Sequence, residues 1–395
     1  MKKGSIITLF LIFAIMLTGC TNNELAFIKA FNKTQEINSA ESKSVFKFTL
    51  KGEGFSPEDE QIVQQVTSLL NNTEVSITQK IKQNDDKTSA KAYADMKLNF
   101  GGMEMPMSVW VDVDMAGDKP KLIEIIKMPP MLMAGMSPEA MDKEYIVYDI
   151  DKLIAKDGEK VNYSKLIKFS KDMQSKLDNF FKDYLKTFKP KVEVVKYRGE
   201  RTIDGNKLSI YELKLDDKSF KDFMRYTINY SLENKEVLKF MKGYMDVVMS
   251  MVENSSEENE LMQEQIDMEL DNLERRLPEI KGKFNEFMDK IDDISIIGDK
   301  GIVIEYGVNN DGYIVYEAGN IDFRIDLGAI GNVSKANTDS VKGVLNIGVE
   351  FNSKIFNINE NITIDMPKVD ENNSIYFNDM IDKSVENIVV EPVAN

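Results

Sequence analysis

Three methionines spaced by two, Met103, Met105 and Met107, are the most unusual donor set in this chain, since alternation along a strand would put three thioethers on one face. Thioethers select soft Cu(I), so a copper site is one reading, and packing in a methionine-rich core is the other. Ten of the 23 methionines fall between Met96 and Met141. Within that stretch Met128, Met131, Leu132, Met133 and Met136 form a compact apolar run around Pro129 and Pro130. Such a run is expected to be an adaptable loop on the rim of a cavity or, alternatively, buried core. Trp110, Asp112 and Asp114 share the opposite strand face, where paired carboxylates could bind a cation or move a proton but more often sit in solvent. The chain contains no histidine and a single cysteine, which removes Ser-His-Asp and Cys-His catalysis, histidine-based zinc sites and intramolecular disulfides. Asn309-Asn310-Asp311-Gly312 lacks the alternating ligands and closing Glu of a calcium loop and reads as a turn. No phosphate-cradling glycine loop is present, and neither an enzymatic activity nor a cofactor is expected.

The cysteine has a different role. Lys2 and Lys3 precede an apolar stretch from Ile6 to Met16, and Leu17-Thr18-Gly19-Cys20 closes it, which is the layout of a secretory signal too short to span a bilayer. These residues resemble the lipobox of bacterial lipoprotein precursors. The resemblance implies diacylglyceryl transfer to the Cys20 thiol, cleavage after Gly19 and a mature chain held by its acyl groups, palmitate among them, on the extracytoplasmic face of the cell membrane. More than one acyl chain gives a stable anchor, whereas a single chain is marginal.

Cleavage would take 19 of the 395 residues and leave 376, ample for a large buried core. It would also remove Lys2 and Lys3, moving the formal charge from −16 to −18. An acidic body is repelled by phosphate backbones and by anionic lipid surfaces, which argues against nucleic acid as a partner.

The elements that must position these side chains follow from periodicity. Leu25, Ile28, Phe31 and Ile37 predict an amphipathic helix over 24–39, and Ser56-Pro57-Glu58 an N-capped helix ending at Leu70. Strict alternation through 73–81, 89–100 and 103–115, continuing at 120–128 and 144–150, predicts an antiparallel meander with one buried and one wet face. A broad apolar stripe predicts a helix over 163–188, and Asp204-Gly205 a tight hairpin between strands at 192–201 and 207–215. Long helical patterns occupy 220–252 and 266–291, the second with Pro278 expected to kink or split it. The heptad-like spacing of the second is best read as an intramolecular helical hairpin with the first. Strands return from Ile294, including a pair flanking Asn352-Ser353-Lys354, and Ile388-Val389-Val390 is a further short apolar run.

The expected organisation is a signal peptide over 1–19, a lipidated tether over 20–24, one α+β domain over 25–380 with a possible subdivision near Asp216, and a polar tail over 381–395. Its architecture would be a large curved antiparallel sheet, an open half-barrel, with amphipathic helices on one face. This order of elements is similar to that of the lipoprotein-carrier and lipid-binding lipoprotein superfamily. The similarity implies a lipid or other hydrophobic ligand held between sheet and helices, with the methionine run as rim. A cell-envelope scaffold that docks a protein partner through its helical hairpin is the alternative.

Overall fold

The structure, a computed structural model, describes residues 22–115, 121–136, 140–150, 173, 176–177, 180, 184, 188–190, 192–249, 256–334, 342–377 and 379–380. Cys20 and the lipobox, the 163–188 helical pattern apart from six of its positions, and the tail with Ile388-Val389-Val390 lie outside the described residues. No helix among the described residues is long and apolar enough to cross a membrane.

Among the described residues, twelve strands share one open, mainly antiparallel sheet in the order β12-β6-β5-β4-β3-β2-β1-β11-β10-β9-β8-β7, with seven helices, so the class is α+β. The strands are β1 (Ser39–Glu53), β2 (Glu74–Gln83), β3 (Ser89–Phe100), β4 (Met103–Asp114), β5 (Lys121–Lys127), β6 (Tyr145–Asp149), β7 (Val195–Ile203), β8 (Asn206–Leu215), β9 (Ile297–Val308), β10 (Ile314–Asp326), β11 (Val344–Phe356) and β12 (Ser374–Tyr376). The helices are α1 (Asn22–Gln35), α2 (Pro57–Leu70), α3 (Pro130–Met136), α4 (Asp217–Glu233), α5 (Lys235–Met249), α6 (Ser256–Lys290) and α7 (Leu327–Ser334). The chain gathers into two compact units, one of residues 1–35, 49–67 and 164–350, the other of 36–48, 68–163 and 351–395. Asp216 lies inside the first.

In the first unit the β7–β8 turn carries Asp204 and Gly205 with φ of 50° and 81°, the left-handed pair that a two-residue hairpin requires. β8 and β9 align Leu213 with Ile304 and Leu215 with Ile302, and all four side chains are buried. Helix α1 seals this face with Phe27, whose ring lies 4.8 Å from Tyr306 and 5.8 Å from Tyr211. It is held in place where the Ile314 amide donates to Thr34 Oγ1 at 2.9 Å. On the outer face Arg198 pairs with Glu212 and Arg201 with Glu305, as exposed alternate positions should. The Asp216 carboxylate and Ser219 hydroxyl cap α4 reciprocally.

The helical hairpin forms within the chain, with α6 against α4 and α5. Asn229 and Asn285 exchange side-chain hydrogen bonds of 2.9 and 3.0 Å, and Arg225 meets Asp289 at 2.7 Å. Lys221, 4% exposed, bonds Asp217 at 2.7 Å and the Asp292 carbonyl at 2.8 Å. Asp217 in turn accepts the Ile296 and Ile297 amides at 2.7 and 2.9 Å, so one ion pair ties the start of α4 to the start of β9.

Several expectations fail for local reasons. Pro278 does not split α6, which runs unbroken from Ser256 to Lys290. The preceding helical pattern instead breaks at Asn234, whose extended backbone ends α4 and whose side chain caps Glu236 N at 2.9 Å. Asn352-Ser353-Lys354 is not a turn: β11 continues through it, with the Ser353 and Ser44 hydroxyls sharing a 2.8 Å hydrogen bond. Most of the 128–136 run, Pro130–Met136, forms a helix rather than a loop, because Pro130 is pre-set for a first helical turn and the Pro129 carbonyl accepts the Leu132 and Met133 amides.

Candidate ligand-binding face

The second unit contains a sheet face that is apolar but not sealed. Register places Val75, Leu98 and Met105 in one row, Ile77, Met96 and Met107 in the next, and Ala94, Val109, Ile126, Ile146 and Ile375 in a third. Each row shares one side of the sheet, because directly opposed residues point the same way. Every one of these side chains on β2, β3 and β4 is only half-buried. Full burial begins at the end of the third row, where Ile146 and Ile375 join Met133, Ala140 and Met380, with Ile126, Met128 and Phe377 packed against them.

The methionine run thus divides. Met133 is wholly buried in that cluster and Met128 leans on it, Leu132 is half-buried, and Met131 and Met136 are 63% and 47% exposed. Helical periodicity explains the split, since a seven-residue helix packed on one side must leave the other open. Met105 and Met107 lie on the half-buried face as their spacing requires. Met103 is 56% exposed beside the Gly101-Gly102 turn, where φ of 59° and 84° demands glycine. Their neighbours on the face are Leu98, Met96 and Phe100, a hydrocarbon setting that matches packing. Among the described residues no group of three His, Cys, Asp or Glu side chains could hold a metal ion.

The reverse face is mixed: Ile125 and Val147 are fully buried there, in the same register row as Trp110. Trp110 packs tilted against Tyr93 at 5.1 Å and meets Tyr145 edge-on at 6.2 Å. Asp112 is buried, bonded to Lys121 at 2.6 Å and within 3.6 Å of Lys91, so it is a structural ion pair and not an available acid.

On the apolar side the row Ala92, Val111, Glu124, Tyr148 carries a carboxylate. Glu124 is half-buried and makes no hydrogen bond or ion pair among the described residues. The first unit holds a counterpart. Tyr197, Tyr211, Tyr306 and Glu317 occupy one register row on β7 to β10, beneath Phe27. Burial pushes the Glu317 carboxyl above its usual 4.5, and burial together with the Glu317 charge pushes the Tyr306 phenol well above 10. Neither acid stood out in the sequence. The signal was present in their phase: Glu124 alternates with Leu122 and Ile126, and Glu317 with Ile321 two steps on.

A separate polar groove of about 380 Å³ in the first unit is lined by Thr49, Lys51, Asp299, Lys300, Asp322 and Arg324 among others. Arg324 donates to Asn346 at 3.2 Å, and the Lys300 amide to Asp322 at 3.0 Å. Its charges are of both signs and most are solvated, so they select no ion.

No family model matches the chain. No curated protein matches it either. Among solved structures, it is similar to the crystal structure of Mycobacterium tuberculosis lipoprotein LppX, with 10% sequence identity over 86% of this chain and 97% of that one and a TM-score of 0.26.

Proposed function

We propose that this protein is a non-enzymatic, lipid-anchored binding protein of the extracytoplasmic membrane face, and that the apolar side of β2 to β5 receives a hydrophobic or amphiphilic ligand. The observation that carries the reading is the half-burial of Ile77, Met96, Leu98, Met105, Met107 and Val109 on a continuous apolar face. Apolar area left in contact with water is worth about 25 cal/mol per Å² when covered, so covering 400 Å² would yield about 10 kcal/mol before the costs of association. Methionines suit a surface that must fit flexible chains, because their side chains repack at little cost. The anchor belongs to Cys20, whose acylation would hold the body at the bilayer without help from an acidic surface.

The test is to express the chain without residues 1–20, extract it with organic solvent and quantify released lipid. Stoichiometric lipid, lost from a Val109→Asp variant that still melts cooperatively, is the expected result. A lipid-free protein that takes up no aliphatic probe sinks the reading. For the anchor, Cys20→Ala should abolish incorporation of labelled palmitate in the native host and release the protein from the membrane fraction.

A further inference from the structure

We infer that the ligand of the β2–β5 face is an amphiphile with a protonated amine in its headgroup, and that Glu124 receives that amine beside the Tyr148 hydroxyl. The inference rests on the ligand-binding reading of this face and specifies its occupant.

The rows around Glu124 make the case. Val111 and Tyr148 flank it across β4 and β6, and Leu122 and Ile126 precede and follow it on its own side of β5. On the side of the sheet shared by β2 to β6 Glu124 is the one acidic residue in these rows, and no lysine or arginine stands among them. The lysines at this end belong to the reverse face, where Lys121 and Lys91 serve Asp112 and Lys127 serves Glu144. A half-buried carboxylate set among Val111, Leu122 and Ile126, with no cationic partner among the described residues, is matched by a ligand cation that can pair with it. Tyr148 is half-buried, its ring 5.9 Å from Phe377, and its hydroxyl has no partner among the described residues. It can donate to a headgroup oxygen or accept from the amine.

Position also sets the ligand's direction. Glu124 on β5 lies at one edge of the half-buried area, and the rows run from it across β4 and β3 to β2, three strand spacings or about 15 Å. An aliphatic chain with its amine at Glu124 would lie across Val111, Ala92 and Ile81, beside the Val109 row. An anionic headgroup in the same place would meet Glu124 with like charge, which excludes fatty acids in that orientation.

The experiment titrates the signal-less protein, at neutral pH and below micelle-forming concentrations, with decylamine, decanol, decanoic acid and ethylamine, reading occupancy by native mass spectrometry and affinity by calorimetry. Decylamine should bind about tenfold more tightly than decanol, equivalent to about 1.4 kcal/mol, with decanoic acid weakest. Glu124→Gln should bring decylamine down to the affinity of decanol, and Tyr148→Phe should weaken decylamine severalfold. Equal affinity for amine and alcohol, or an amine preference that survives Glu124→Gln, overturns the headgroup assignment alone. Ethylamine binding as tightly as decylamine also overturns it, since a bare carboxylate would then suffice. Failure of every aliphatic probe, decanol included, overturns the binding face itself.

Discussion

The two units present the same kind of sheet face and finish it differently. In the first, Leu213, Leu215, Ile302 and Ile304 alternate on β8 and β9 as strand period demands, and all four are buried. In the second, Leu98, Met96, Met107 and Val109 alternate just as regularly on β3 and β4 and stay half-exposed. Each face carries one acid in an inward row, Glu317 in the first and Glu124 in the second. What differs is the covering layer: α1 supplies the first unit with a wholly buried aromatic ring, whereas on the second unit's face full burial is confined to the cluster around Met133. A sealed face stabilises the fold, and an unsealed one holds apolar contacts in reserve for a ligand.

The widest test of this contrast is truncation on each face. Phe27→Ala should cost about 3–5 kcal/mol by urea denaturation, the range for an aromatic removed from a packed core. Met107→Ala should cost well under half as much, because a half-buried side chain gives up less burial and leaves no closed cavity. Equal losses would mean that the second face is as tightly packed as the first.

A somewhat smaller effect is expected where the first unit is locked by charge. Lys221→Met should destabilise by about 3 kcal/mol at neutral pH, since it leaves Asp217 facing burial without its cation. Burial is the largest influence on Asp217 and acts to raise its carboxyl, but the Lys221 ion pair and the Ile297 and Ile296 amides together outweigh it and hold the group below 3.8. A depressed carboxyl contributes stability above 3.8 that is lost as pH falls through the folded value, so the penalty of Lys221→Met should shrink in acid. A penalty independent of pH would assign the role of Lys221 to its packing and its bond to the Asp292 carbonyl.

The smallest effect concerns the two acids. Glu317 has a raised carboxyl, and such a group contributes stability below 4.5 that is lost as pH rises through its folded value. Glu317→Gln should therefore raise the melting temperature at pH 7 by a few degrees, and the gain should vanish below pH 4.5. Glu124→Gln, on the open face, should change the melting temperature little and alter ligand choice instead. If both substitutions acted on stability alone, the distinction between a sealed and a receptive face would fail.

Much of this framework was legible residue by residue. β3 and β4 occur where alternation put them, and the Asp204-Gly205 hairpin and the start of α2 at Pro57 followed from local chemistry, with Ser56 Oγ accepting the Asp59 amide at 3.2 Å. The misreadings occurred where local preference was weak and distant partners decided. Asn352-Ser353-Lys354 has turn composition, yet Ser44 receives Ser353 on an adjacent strand. The parallel pairing of β12 with β6 joins residues more than two hundred positions apart, and its three residues carry no periodic signal. The helix α3 was hidden because Pro129-Pro130 marks a loop and a helix start alike.

The sequence alone determined the alternation of the strands, the absence of histidine and thiol chemistry beyond Cys20, and the lipobox that proposes an anchor. These rest on side-chain identity and on periods of two and 3.6, which are local properties. Only the tertiary structure decided which apolar face is sealed and which is half-open, and that Glu317 and Glu124 sit in corresponding rows with different surroundings. Burial is a property of what packs against a residue from elsewhere in the chain, and no period within a strand encodes it.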